Sequence, residues 1–233
     1  MKRLLIIIST VMAAAGLSFA APCGNGSLAG YIALGASGCT IGSNTLFGFQ
    51  TVSGIAGATA IATSALAITP FGGTTSFGLT AATTQTAAAN SLLESIFTYR
   101  ISGNSYIGSS IALAGSSETG DGAVTDIQNY CAGGTFGPDG VTGCAAVTGT
   151  LVTLDGIQQT DLASFAAVGL LSITDDFTLD GGLGGSAEGG SFTDQFTARS
   201  VSAIPEPFGF SLTGLGLGLV LVLGTLLRKG TYE

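Results

Sequence analysis

Leu93-Glu94-Ser95-Ile96-Phe97-Thr98-Tyr99-Arg100-Ile101 decides the fold class. Leu93, Phe97, Tyr99 and Ile101 fall on one face of an extended chain, and Glu94, Thr98 and Arg100 fall on the other. The same period of two recurs at Ile173, Phe177 and Leu179 against Thr174, Asp176, Thr178 and Asp180. A third run sets Phe192, Phe196 and Ala198 against Thr193, Gln195, Thr197 and Arg199. Turn residues punctuate these runs at Ser102-Gly103-Asn104, Gly120-Asp121-Gly122, Asp155-Gly156 and Asp180-Gly181-Gly182. Many short strands at this spacing predict an all-β chain, an antiparallel β-sandwich. Thr80 to Leu92, with Ala87-Ala88-Ala89 inside it, reads equally as a helix or a loop, since its threonines weaken helix.

Composition narrows the chemistry. Of 233 residues 46% are hydrophobic and 9% charged, which suits one domain or two small ones. His and Trp are absent, which removes histidine triads, His-ligated metals and Trp sugar platforms. The net charge of −8 lacks the basic footprint of a nucleic-acid binder.

The two ends read as an address. Met1 to Ala20 has the form of a signal peptide: Lys2 and Arg3, an apolar stretch from Leu4 to Leu17, then Ser18-Phe19-Ala20, with cleavage expected before Ala21. Pro22 before Cys23 does not suit a lipidation site. Phe208 to Leu227 is an uncharged run long enough to cross a bilayer as a helix. Arg228 and Lys229 follow it and favour a cytoplasmic C-terminus with the bulk of the chain outside. Pro205-Glu206-Pro207 stands just before this run, where two prolines favour an extended strip.

Pro205-Glu206-Pro207, the apolar run and Arg228-Lys229 together resemble the tripartite PEP-CTERM sorting signal of Gram-negative bacteria. The resemblance implies recognition of the tail by a membrane-embedded exosortase, cutting near the motif, and release of the body to the surface or matrix. It divides the chain into a signal peptide (1–20), a β-sandwich ectodomain (21–203) and a sorting signal with a transmembrane helix (204–233). The body also resembles a recurring PEP-CTERM ectodomain without assigned activity. That likeness lies in Cys23 and Cys39 flanking Tyr31-Ile32-Ala33-Leu34-Gly35, in Gly133-Gly134-Thr135-Phe136-Gly137-Pro138, in Gly185-Ser186-Ala187 and in Gln195-Phe196. The expected partners are signal peptidase and exosortase, then exopolysaccharide, with no nucleic acid and with membrane contact through the C-terminal helix before processing.

Within the body, Arg100 and Arg199 against 12 carboxylates leave a charge of −10, which suits solubility. Cys23, Cys39, Cys131 and Cys144 predict two disulfides. Three connectivities are open, of which nearest-neighbour pairing closes two short Gly-rich loops. A zinc site lacks both a CxxC pair and His, so no metal or other cofactor is expected. Gly24-Asn25-Gly26 followed by Gly30 imitates a dinucleotide loop, but reads as a disulfide-tied turn without a preceding strand and following helix. Asn25-Gly26-Ser27 fits a glycosylation sequon, incidental beside a bacterial sorting signal. Gly181 to Gly190 reads as a flexible loop.

The enzyme argument rests on carboxylates alone. Asp176 and Asp180 share a strand face about 13 Å apart, at ~3.3 Å per residue, too far for a glycosidase pair. Asp175 lies on the opposite face, and a pair from two strands stays open. No catalytic residue is assigned, because a nucleophile would lack both His and, in the body, Lys. The sequence favours a non-enzymatic exported surface or matrix protein associated with exopolysaccharide and biofilm. The alternative is a β-sandwich adhesion or glycan-recognition module, for which Tyr31, Tyr99, Tyr106 and Tyr130 are the tyrosines on offer.

Overall fold

A computed structural model describes residues 20–54 and 56–199. The expected signal peptide (all but its last residue) and the whole sorting tail, with Pro205, Glu206, Pro207, Arg228 and Lys229, lie outside the described residues. The first strands are β1 (Ala21–Pro22), β2 (Gly26–Ser27), β3 (Cys39–Ile41), β4 (Asn44–Thr51) and β5 (Thr59–Ala60), with helix α1 (Leu28–Ala33) after β2. Next come β6 (Ala67–Gly72), β7 (Ser76–Ala82), β8 (Thr86–Ala88), β9 (Leu92–Ala114) and β10 (Ser117–Thr119). The last are β11 (Ala123–Ala132), β12 (Val147–Leu154), β13 (Thr160–Asp180), β14 (Ser186–Glu188) and β15 (Ser191–Ala198).

The spine is an antiparallel ribbon of the two longest strands, β9 and β13, running from Thr160↔Ala112 to Asp180↔Leu92. Its register shifts between Ser164 and Leu170, where bulges bend it. β9 changes partner at the same level. Its first half pairs with β4 up to Thr45↔Ser102, and its second half pairs with β15 from Ala198↔Tyr106 onward. Gly103 marks the switch at φ +115°, where an added Cβ would lie 2.3 Å from the Ser43 carbonyl oxygen. One curled sheet thereby doubles back on itself, with β12-β11-β13-β9-β4-β3-β1 on one side and β9-β15-β7-β6-β2 on the other. A second sheet, β10-β14-β8, has three strands.

This sandwich-like body encloses the apolar face read from the sequence. Phe177 and Phe192 stack at 5.0 Å, Phe97 meets Phe192 at 6.2 Å, and Tyr99 meets Phe196 edge-on at 6.3 Å. Each buried ring of this kind contributes on the order of 2 kcal/mol.

Several expectations change. Glu94 and Thr98 do point away from Phe97 and Tyr99, yet both are buried. Gly54 sits against the Glu94 carboxylate, and the chain on either side of it bonds to β9 through Val52 N–H to Ile96 and Ile61 N–H to Glu94. Thr80 to Leu92 is neither helix nor plain loop: β7 ends in it, β8 occupies Thr86–Ala88, and Asn90 turns the chain at φ 60°. Pairing of Ala87 with Ala187, both fully buried, overrides the local alanine preference. The helix lies instead at Leu28–Ala33, capped by Ser27, which accepts from the Gly30 N–H at 3.3 Å. Gly181 to Gly190 is not simply flexible, because β14 within it pairs on both edges. Two short pairings, β1 with β3 and β5 with β9, are parallel in a sheet otherwise antiparallel.

Candidate functional site

The cysteines pair as nearest neighbours. Cys23–Cys39 closes a separation of 16 residues and Cys131–Cys144 one of 13, with Cα–Cα distances of 4.8 and 5.9 Å. The first bridge ties β1 to β3 beside α1, where the Tyr31 hydroxyl donates to the Gly24 carbonyl at 2.8 Å. The Gly24-Asn25-Gly26 turn is thus tied by a disulfide as expected, although a short helix does follow it. The second bridge clamps a loop onto the outer face of β13: the Thr174 hydroxyl donates to Gly140 O, and Phe136 N–H donates to the Ser172 hydroxyl. Asp139 pins the loop tip by accepting from the N–H groups of Val141 and Thr142 and from the Thr142 hydroxyl.

A polar cluster lies inside the sandwich. Asp194 of β15, Tyr99 and Ser109 of β9, Gln128 and Asp126 of β11, and Asp175 of β13 are each at most 3% exposed. The Tyr99 hydroxyl donates to Asp194 Oδ2 at 2.7 Å, and Gln128 Nε2 donates to Asp194 Oδ1 at 2.9 Å. The Ser109 hydroxyl donates to Gln128 Oε1 at 2.5 Å. Asp175 lies against Asp194 and Gln128, and neither of its oxygens has a close hydrogen-bond partner. Neither oxygen of Asp126 has a partner.

Electrostatics follow from burial. Loss of water pushes Asp194 up to about 6, against the hydrogen bonds from Tyr99 and Gln128 that favour its charged form. Burial, then the charge of Asp194 and of Asp126, holds Asp175 well above the usual carboxylate range. Burial, then Asp194 and Asp176, does the same to Asp126. All three carboxyls of the cluster therefore hold their protons more tightly than free aspartate does. Among the described residues no three acidic or cysteine side chains come together closely enough to hold a metal ion.

The carboxylates weighed from sequence stay apart. Asp176 is half-buried and receives the Thr178 hydroxyl, while exposed Asp180 caps the Gly182 N–H. Tyr31, Tyr99, Tyr106 and Tyr130 are all buried, at 8% exposure or less, so none offers a sugar-stacking surface. Of the interior acids the sequence reading singles out only Asp175, though the alternation contains all three. Asp194 stands between Phe192 and Phe196, Asp175 between Ile173 and Phe177, and Asp126 two residues after Val124.

No protein-family model matches the chain, and no curated protein does. Among solved structures it is similar to TmCBM61 in complex with β-1,4-galactotriose, at 8% identity over 51% of this chain and 69% of that one, with a TM-score of 0.23.

Proposed function

We propose that the protein is a non-enzymatic, exported surface or matrix protein whose body is delivered by processing of the C-terminal tail and associates with exopolysaccharide. The two disulfides carry this reading. Such bridges persist in oxidising compartments, which suits an extracellular or periplasmic body. The convergent acids support it as well, since they sit in the core, away from any external substrate. The rival glycan-recognition module would have to bind without stacking on tyrosine, because all four body tyrosines are interior.

Mass spectrometry of protein recovered from its host tests the reading. The expected product begins at Ala21, lacks Phe208 to Glu233 and carries both disulfides. Recovery of a surface-exposed form with an intact Tyr232-Glu233 end would overturn the sorting step. Reduced cysteines in a cytosolic form would overturn export altogether. A glycan array addresses the rival: selective binding supports the module, and no binding supports matrix material.

A further inference from the structure

We propose that the outer edge of β12 is an interface for a second copy of this chain, paired antiparallel about a twofold axis at Gly149. β11 covers one edge of β12 from Val147 to Leu154, and among the described strands none pairs with the other edge. The Asp155 N–H donates to Val124 O at 3.0 Å, which continues the β11 ladder and fixes its phase. Residues 147, 149, 151 and 153 therefore turn their backbone groups towards β11, and 148, 150, 152 and 154 turn theirs outward.

The outward groups do not fare equally. Leu154 N–H donates to Gln158 O at 2.7 Å, and Leu154 O accepts from Gln158 N–H at 2.9 Å. Val152 N–H donates to Asp161 Oδ2, and Val152 O accepts from Gln158 Nε2, both at 3.0 Å. The chain itself closes that half of the edge and sets a charged side chain across it, a guard against edge-to-edge pairing. Thr148 and Thr150 have no such cover. Among the described residues nothing bonds their outward N–H and C=O groups, and both residues are exposed.

Two open donors and two open acceptors over this short stretch are complementary to themselves. In an antiparallel pair centred on Gly149, Thr148 lies opposite Thr150 of the second copy, and each such pair exchanges two hydrogen bonds. Four bonds then satisfy every open group on both copies. Val147, 54% exposed, falls opposite Leu151 of the second copy, which adds an apolar cross-strand contact.

Charge selects the occupant. The body carries −10, so copies repel wherever carboxylates meet, yet Gly140 to Leu154 holds no charged side chain. The two Asp161 carboxylates guard Val152, three residues from the axis on each copy, and so stand roughly 20 Å apart at ~3.4 Å per residue. That is about two Debye lengths in physiological salt. Five residues a side fall below the ~1,000 Å² of a stable interface, so the pairing is weak and links copies only where they are crowded.

The test is amide exchange of the full chain in excess detergent micelles, read at Thr148 and Thr150 across a dilution series. Exchange at both N–H groups should be about tenfold slower at about hundredfold higher concentration, with no change at Val152, whose N–H is already bonded. Thr150→Pro removes an outward donor without breaking a β11 bond, and should abolish the protection while the far-ultraviolet spectrum stays the same. Thr148→Lys eases the overall repulsion, yet should abolish the protection too, because it sets two lysines about 7–8 Å apart beside the axis. Fast exchange at Thr148 and Thr150 at every concentration would overturn the proposal. Protection that survives dilution would also overturn it, since the cover would then be another segment of the same chain. Association that leaves Thr148 and Thr150 unprotected would put the interface elsewhere and overturn it as well.

Discussion

Asp175 and Asp176 are neighbours in β13, and their different surroundings separate the two regions of this molecule. Asp175 faces the core, where burial and then the charges of Asp194 and Asp126 hold its carboxyl well above the usual range. Asp176 faces outward, half-buried, and its smaller rise comes from partial burial set against a hydrogen bond from Thr178. Two exposed acids go the other way. Asp121 is lowered by the N–H groups of Gly184 and Leu183, and Asp139 by the Thr142 hydroxyl and then the N–H groups of Thr142 and Val141. One residue type therefore binds its proton more tightly inside and less tightly at the exposed turns. Access to water and to N–H donors decides which.

Removing the centre of the interior cluster should have the largest effect. Asp194→Ala strips the acceptor from Tyr99 and Gln128 and should cost about 2–5 kcal/mol in urea unfolding, from two buried donors left unsatisfied at about 1–3 kcal/mol each. A loss no larger than that of a surface substitution would erase the distinction between the regions. The loop bridges come next: replacing Cys131 and Cys144 together by Ala should cost about 3 kcal/mol in the chain-entropy picture. The clamp sits on the outer face, so the far-ultraviolet strand signal should persist.

The pH dependence sharpens the comparison. Asp194, Asp175 and Asp126 bind protons more tightly in the folded state than in the unfolded chain. Their contribution is complete below the ordinary carboxylate pKa of about 4, and stability falls as pH rises through about 6, the range of Asp194. Asp121 and Asp139 act in the opposite sense, with stability lost as pH falls through their lowered values. Because they are exposed, the interior acids should dominate, and the thermal midpoint should be higher at pH 5 than at pH 8. Asp126→Asn should reduce that difference. A midpoint that rises from pH 5 to pH 8 would place the controlling acids outside.

Local probes should show smaller effects. Trypsin should spare Arg100, whose backbone pairs with Phe47 on one side and Ser172 on the other, and cut at Arg199 beyond β15. Fast cutting at Arg100 in the oxidised protein would mean that the ribbon opens. Asp139→Ala should leave the midpoint almost unchanged while speeding amide exchange at Val141 and Thr142, which donate to this carboxylate.

By itself the sequence determined the all-β class, the three runs that became β9, β13 and β15, and the need for two disulfides. Alternation and cysteine count are local properties that survive without coordinates. It also held the interior acids in plain register, with Asp175 between Ile173 and Phe177, although a carboxylate on an apolar face reads as an exception until its partners are known. Only the tertiary structure decided the cysteine connectivity, the burial of Glu94 and Thr98, and the strand in place of a helix at Thr86–Ala88. It alone brought Asp194, Gln128 and Ser109 together from three strands. The physical reason is sequence separation: these contacts span 19 to 66 residues, and which strands meet across a folded sheet depends on where β9 and β13 bend, a property of the whole ribbon that no short window contains.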